Sequence, residues 1–172
     1  MSLKWAMMLW VLLGIVVVGA VAVVLRFFIF GKANPLLAKN EVRINGATFE
    51  VEIASTTAEK ARGLSFRAGL EANQGMLFFF TTPSIQSFWM KDMNFPIDII
   101  WIGAGKNGDG KSSCEVLGFA QNAMPQPGVP LWGLTIYNSP GGTDKALEVI
   151  AGTVAKDNIK VGDGVQIGPL GG

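Results

Sequence analysis

The sequence predicts an all-β fold, a compact β-sandwich or barrel of jelly-roll character with one or two short helices, preceded by a single transmembrane helix. Three observations carry this. Apolar runs of strand length recur through the chain between glycine, proline and asparagine turns. A composition of 49% hydrophobic residues with 22 glycines in 172 residues describes a packed, turn-rich globule. Ahead of the strands, Trp5 to Leu25 contains no charged residue.

That first run, at ~1.5 Å per residue, reaches about 30 Å, the thickness of a bilayer's hydrocarbon core. Trp5 and Trp10 suit an interfacial end, and Arg26 and Lys32 mark the other boundary. A cleaved signal peptide competes, because Ala20 and Ala22 make an A-x-A-like site, but its apolar region usually spans only ~7 to 15 residues. Residues 5–30 therefore read as a membrane helix or signal anchor, 31–39 as a linker, 40–168 as the β domain and 169–172 as a tail. The cations after the run, taken alone, place the β domain in the cytoplasm. However, residues 36–172 carry 11 basic against 13 acidic residues, and a near-neutral domain can be translocated.

Within the β domain, Glu41 to Ile44 and Ala47 to Ile53 flank Asn45-Gly46, the dipeptide that most favours a two-residue type I′ turn. Pairing Ile44 with Ala47 sets Val42 opposite Phe49 and leaves Arg43, Glu50 and Glu52 outside. Thr56-Thr-Ala-Glu59 is a capping box opening a short helix that Gly63 ends. Met76 to Phe80 is an apolar strand that Thr82-Pro83 should stop. Leu131 to Tyr137 is a strand or a packed loop. Lys145 to Ala151 reads as a strand, Thr153 as the cap of one helical turn, and Val165 to Ile167 as a last strand.

The stretch Ser87 to Ile102 holds the residues with chemical potential. Side chains alternate along a strand, so Asp98 shares a face with Ile100 and Ile102, a carboxylate on an apolar surface. An unpaired charge there is costly, so Asp98 should meet a cation, with Lys91 and Arg67 nearest in sequence. Phe88 and Met90 point one way, Trp89 and Lys91 the other. Two readings stand: a structural ion pair fixing a turn on the sheet, or a cleft in which a small ligand stacks on Trp89 between charges. Glu148, between Ala146 and Ile150, is a second carboxylate facing either an apolar surface or a watery rim.

Composition excludes several function classes. The chain has 14 Lys and Arg against 13 Asp and Glu, so no field favours nucleic acid. It has no histidine and one cysteine, Cys114, which removes His-dependent nucleophiles and metal sites and leaves no metal or cofactor to expect. Gly105 to Ser112 satisfies P-loop spacing, but Cys114 to Asn122 is strand-like where a helix is required, so no nucleotide is expected.

Arg62-Gly-Leu-Ser-Phe-Arg67, Gly75-Met-Leu-Phe-Phe-Phe80, Phe88-Trp-Met-Lys-Asp-Met-Asn-Phe-Pro-Ile-Asp98, Leu147-Glu-Val-Ile-Ala-Gly152 and Val161-Gly-Asp163, in that order, resemble the domain of unknown function 192 family over residues 40–168. The resemblance implies a β-sandwich or barrel, and its frequent leader or anchor implies that the β domain lies outside the cytoplasm. It supplies no activity. It marks Arg67, Trp89, Met90, Lys91, Pro96, Asp98, Glu148, Gly152 and Asp163 as motif positions without an established role.

Three functions follow as expectations. The first is a membrane-tethered binding or accessory module, without catalytic residues, that holds a small ligand or cell-envelope component through Arg67, Trp89, Lys91, Asp98 and Glu148. The second is a hydrolase or lyase acting on envelope sugar or peptide, with Asp98 and Glu148 as acid and base about 5 to 10 Å apart. The third is a structural module assembling in the membrane through Gly14 and Gly19.

Overall fold

Asn45 and Gly46 both take left-handed backbone conformations, at φ 48° and 82°, as a type I′ turn requires. In the computed structural model, which describes residues 32–106 and 112–169, this turn joins β1 (Lys39–Ile44) to β2 (Ala47–Ala54). The register is the one the apolar pattern demands, with Ile44 opposite Ala47 and Val42 opposite Phe49.

Next, the capping box closes α1 (Thr57–Arg62). The Thr56 hydroxyl accepts from the Glu59 N–H at 3.2 Å, and the Glu59 carboxylate accepts from the Thr56 and Ser55 N–H groups at 2.9 Å each. This crossover lets β3 (Gln74–Ser84) run parallel to β2. Gly75 is needed on β3 because a Cβ there would stand 2.8 Å from the Glu148 carbonyl oxygen. Thr82-Pro83 does not stop the strand as expected. The chain instead breaks register between Phe79 and Ser84 and resumes pairing, an irregularity of the kind that accommodates a proline.

The remaining strands are β4 (Ser87–Phe88), β5 (Ile97–Lys106), β6 (Ser112–Ala123), β7 (Tyr137–Asn138), β8 (Thr143–Ile150) and β9 (Gly164–Pro169). A second short helix, α2 (Thr153–Lys156), precedes β9. Seven strands close into a barrel in the order β1-β2-β3-β8-β5-β6-β9, and β9 pairs back onto β1. Closure leaves the barrel without an unpaired edge among the described residues, so of the two expected architectures the chain takes the barrel. Strands β4 and β7 form a separate two-stranded ribbon.

Two apolar layers result. Phe49, Leu77, Ile100, Leu147 and Val149 fill the interior together with Val154 of α2. Met76, Phe78, Ile97 and Ile99 point outward from β3 and β5 and pack with Leu64, Phe88, Met90, Met93 and Phe95. Ile97 to Ile102 is apolar on both faces because one face lines the barrel and the other is roofed by those residues.

Two further expectations are corrected. Thr153 is not a cap: Gly152, at φ 89°, precedes the helix, and the Thr153 hydroxyl donates to the Ile150 carbonyl at 2.7 Å. Leu131 to Tyr137 is for the most part neither a strand nor packed: Leu131–Gly133 is a 3-10 turn with Trp132 90% exposed, and Tyr137 at its end enters β7 and packs on the outer apolar layer. The P-loop match is flanked by β5 and β6, paired antiparallel up to Lys106 and Ser112, so no helix follows it. The membrane helix, including Gly14 and Gly19, lies outside the described residues, among which no helix is long and apolar enough to cross a membrane.

Candidate functional site

Among the described residues, Asp98 meets no cation. It is wholly buried, and its two carboxylate oxygens accept from the Asn122 N–H at 2.8 Å and the Val154 N–H at 2.9 Å. The first donor lies on β6 beside a register shift, where Asn122 takes a φ of 53°. The second lies in the first turn of α2, where N–H groups lack partners within the helix. Asp98 therefore joins β5, β6 and α2. The expected pairing with Lys91 or Arg67 fails because backbone donors meet the carboxylate first.

The two cations have their own partners. Arg67 forks onto Glu52, with Nη1 at 2.6 Å and Nη2 at 2.8 Å from its two oxygens. This bidentate pair holds the Glu52 carboxyl below the usual carboxylate range. Lys91 pairs with its neighbour Asp92 at the surface.

Glu148 is the group that remains. It sits on β8 opposite Met76 of β3 and Ile99 of β5, two outward-facing apolar residues. It is 6% exposed, and its Oε2 atom has no hydrogen-bond partner. The surface it faces is therefore apolar and covered, not a watery rim. Burial pushes its carboxyl up to about 8, and the Arg67 charge opposes this more weakly.

What covers Glu148 is the turn that ends α1. Gly63 takes φ 52° and ψ −133°, a region closed to residues with a side chain. A Cβ there would stand 3.7 Å from Glu148 Oε2 and 3.4 Å from the Phe78 ring. Asn34 Nδ2 donates to the Glu59 and Gly63 carbonyls, both at 3.0 Å, which fixes the end of the helix. Beyond it, the Ser65 hydroxyl donates to the Lys91 carbonyl at 3.0 Å and the Phe66 N–H to the Asp92 carbonyl at 2.9 Å. The two turns frame a cavity of about 230 Å³ lined by Lys60, Gly63, Phe80, Phe88, Trp89 and Glu148, among others.

Of the five residues expected at the site, the structure brings Trp89 and Glu148 together in this cavity and leaves Arg67, Lys91 and Asp98 outside its lining. Trp89 is 43% exposed. Lys60 is the member that sequence reasoning missed. Its ammonium donates to the Phe79 carbonyl at 2.9 Å and lies 5.0 Å from the centre of the Phe80 ring. The available signal was the aromatic run Phe78 to Phe80, whose outward members need a cover that a short amphipathic helix can supply.

An acid and base pair is not formed by the two carboxylates. Asp98 is paired with Val149 in the β5–β8 register, and Glu148 precedes Val149, so alternation sends the two side chains to opposite faces of the sheet. Asp98 faces the barrel interior and Glu148 the outer cavity.

Comparison with known proteins agrees with this architecture. Residues 40–167 match the domain of unknown function 192 (DUF192) family, described as Uncharacterized ACR. No curated protein matches the chain. A crystal structure of a protein of unknown function from Novosphingobium aromaticivorans DSM 12444 is similar at 32% identity and a TM-score of 0.65, covering 78% of this chain and 91% of that one. Another, from Sinorhizobium meliloti 1021 and provisionally described as a transcription regulator, is similar at 26% identity and a TM-score of 0.64, covering 78% and 97%. The described β domain, matched over well over half of the sequence, makes this chain a member of the DUF192 family.

Proposed function

We propose that the barrel is a small-ligand-binding or accessory module, held at the outer side of a membrane by residues 5–30, and that its ligand enters the cavity between α1 and the Ser87 to Met93 segment. The observation that carries this reading is the Glu148 carboxyl, buried with one oxygen unpartnered at a cavity that has Trp89 among its lining residues. A buried polar atom without a partner costs about 1 to 3 kcal/mol. A ligand that bonds it recovers that cost. Trp89 offers an indole face, and Phe80 and Phe88 add apolar wall, the usual make-up of a small-molecule site.

The membrane tether rests on the uncharged run from Trp5 to Leu25. Placement outside the cytoplasm rests on the near-neutral charge of the domain and the habit of the family. No catalytic role is proposed, because the two buried carboxylates act on opposite sides of one sheet. The test is a thermal-shift screen of the full chain in detergent against muropeptide and oligosaccharide fragments of the cell envelope. The reading predicts that at least one raises the melting temperature and that Trp89→Ala abolishes the rise. It is refuted if no fragment does so, or if the rise survives that substitution. Protease digestion of the β domain in intact spheroplasts tests the placement, and full protection would contradict it.

A further inference from the structure

The charge of the cavity narrows what it can hold. Lys60 and Arg62 are its charged lining residues apart from Glu148. The Lys60 ammonium has three N–H donors and gives one to the Phe79 carbonyl. Glu59, next to it, has its carboxylate engaged with Ser55 and Thr56 in the capping box. Among the described residues no other carboxylate joins the lining.

Glu148 does not restore a negative charge. On β8 it is flanked by Met76 and Phe78 of β3 and by Ile97 and Ile99 of β5, none of which ionises. From the turn after α1 it faces Gly63 and Leu64, with Lys60 and Arg62 on the preceding helix. From the Ser87 to Met93 segment it faces Phe88, Trp89 and Met93, while Lys91 is occupied by Asp92. Arg67 lies beyond, with its charge matched by Glu52. A carboxyl enclosed this way, with an oxygen that no cation reaches, keeps its proton, and a neutral acid is a hydrogen-bond donor.

Resting on the reading of the cavity as a ligand site, we infer that it takes a small organic anion, a carboxylate on a flat apolar body, with Lys60 matching the charge, the Glu148 acid donating a hydrogen bond, and Trp89 covering the body. A cationic ligand meets the like charge of Lys60 and forms an ion pair with Glu148 only if that acid gives up its proton. A neutral ligand leaves the ammonium unmatched. The volume of about 230 Å³ suits a single ring with a short substituent.

The test compares three probes built on one phenyl ring with a single substituent, benzoate, benzamide and benzylamine, titrated into the full chain in detergent and followed by the Trp89 indole N–H resonance. Benzoate is expected to bind at least about tenfold more tightly than benzylamine, a difference of about 1.4 kcal/mol. Its affinity should fall as pH rises above about 8, where Glu148 loses its proton. Lys60→Met should weaken benzoate about tenfold or more. Glu148→Gln keeps a neutral donor and should retain binding while removing the pH dependence, and its unchanged fold is checked by near-ultraviolet circular dichroism. Benzylamine or benzamide binding as tightly as benzoate, or benzoate indifferent to Lys60→Met, overturns the anion assignment and leaves the ligand site standing. No response to any of the three overturns the anion assignment, and the fragment screen then decides the site itself.

Discussion

Asp98 and Glu148 are both carboxylates set into apolar strands, one register step apart on β5 and β8, and they end in opposite circumstances. Asp98 points into the barrel and receives two backbone N–H groups. Glu148 points out beneath α1 and has an oxygen that receives none. Burial is nearly the same, at 0% and 6% exposure, so burial does not distinguish a structural carboxylate from a functional candidate. The supply of donors does. An acid ringed by donors holds elements together, whereas an acid facing a cavity with an oxygen that no donor reaches is left to titrate or to meet a ligand.

Removing Asp98 should have the largest effect on this contrast. Asp98→Ala strips the acceptors from one buried and one part-buried N–H group and is expected to cost about 3 kcal/mol of stability, read from urea unfolding. A cost below about 1 kcal/mol would mean that the barrel does not depend on the junction of β5, β6 and α2. Next comes the cover over Glu148. Gly63→Ala forces a side chain into a left-handed conformation and should cost about 2 kcal/mol, through strain more than crowding, because the new methyl meets Phe78 at an ordinary 3.4 Å.

The pH dependence of stability sharpens the comparison further. Glu148 holds its proton in the folded protein up to about 8, whereas the unfolded chain releases it near 4.5. Between those values the folded state binds the extra proton, so stability falls as pH rises, by at most about 1.4 kcal/mol per pH unit. Glu52 acts in the opposite sense: its carboxyl is lowered by Arg67, so its contribution is present above the ordinary carboxylate range and is lost in acid. Unfolding measured at pH 5.5, 6.5 and 7.5 should show the decline in the native protein and a flat profile in Glu148→Gln. The smallest expected change is in Trp89→Ala, which exposes no core and should alter stability by about 0.5 kcal/mol or less while ending ligand response. A larger loss would make Trp89 part of the packing.

The local devices of the fold were legible because each is written in adjacent residues. Asn45-Gly46 with its flanking alternation gave the first hairpin in register, and Thr56 with Glu59 gave the start of α1. Glu148 was visible as a carboxylate in an apolar strand. The partners of Asp98 were not, because they are backbone N–H groups at Asn122 and Val154, and every residue but proline carries one. The choice of Arg67 for Glu52 over Asp98 was hidden for a related reason. It depends on parallel β3 returning beside β2, which brings the turn after α1 toward the open face of Glu52. Lys60 was missed because one lysine on a six-residue helix looks like any solvated charge until Phe80 lies beneath it.

The most direct measurement is the titration of the Glu148 side-chain carboxyl carbon by ¹³C NMR in the full chain. The account predicts a midpoint about 8, unchanged in Met76→Leu, which leaves the apolar setting intact, and displaced further upward in Arg67→Ala, which removes the opposing charge. A midpoint in the ordinary carboxylate range near 4.5 would show that Glu148 has water or a cation beside it, and the cavity would then lack the group on which its proposed role depends.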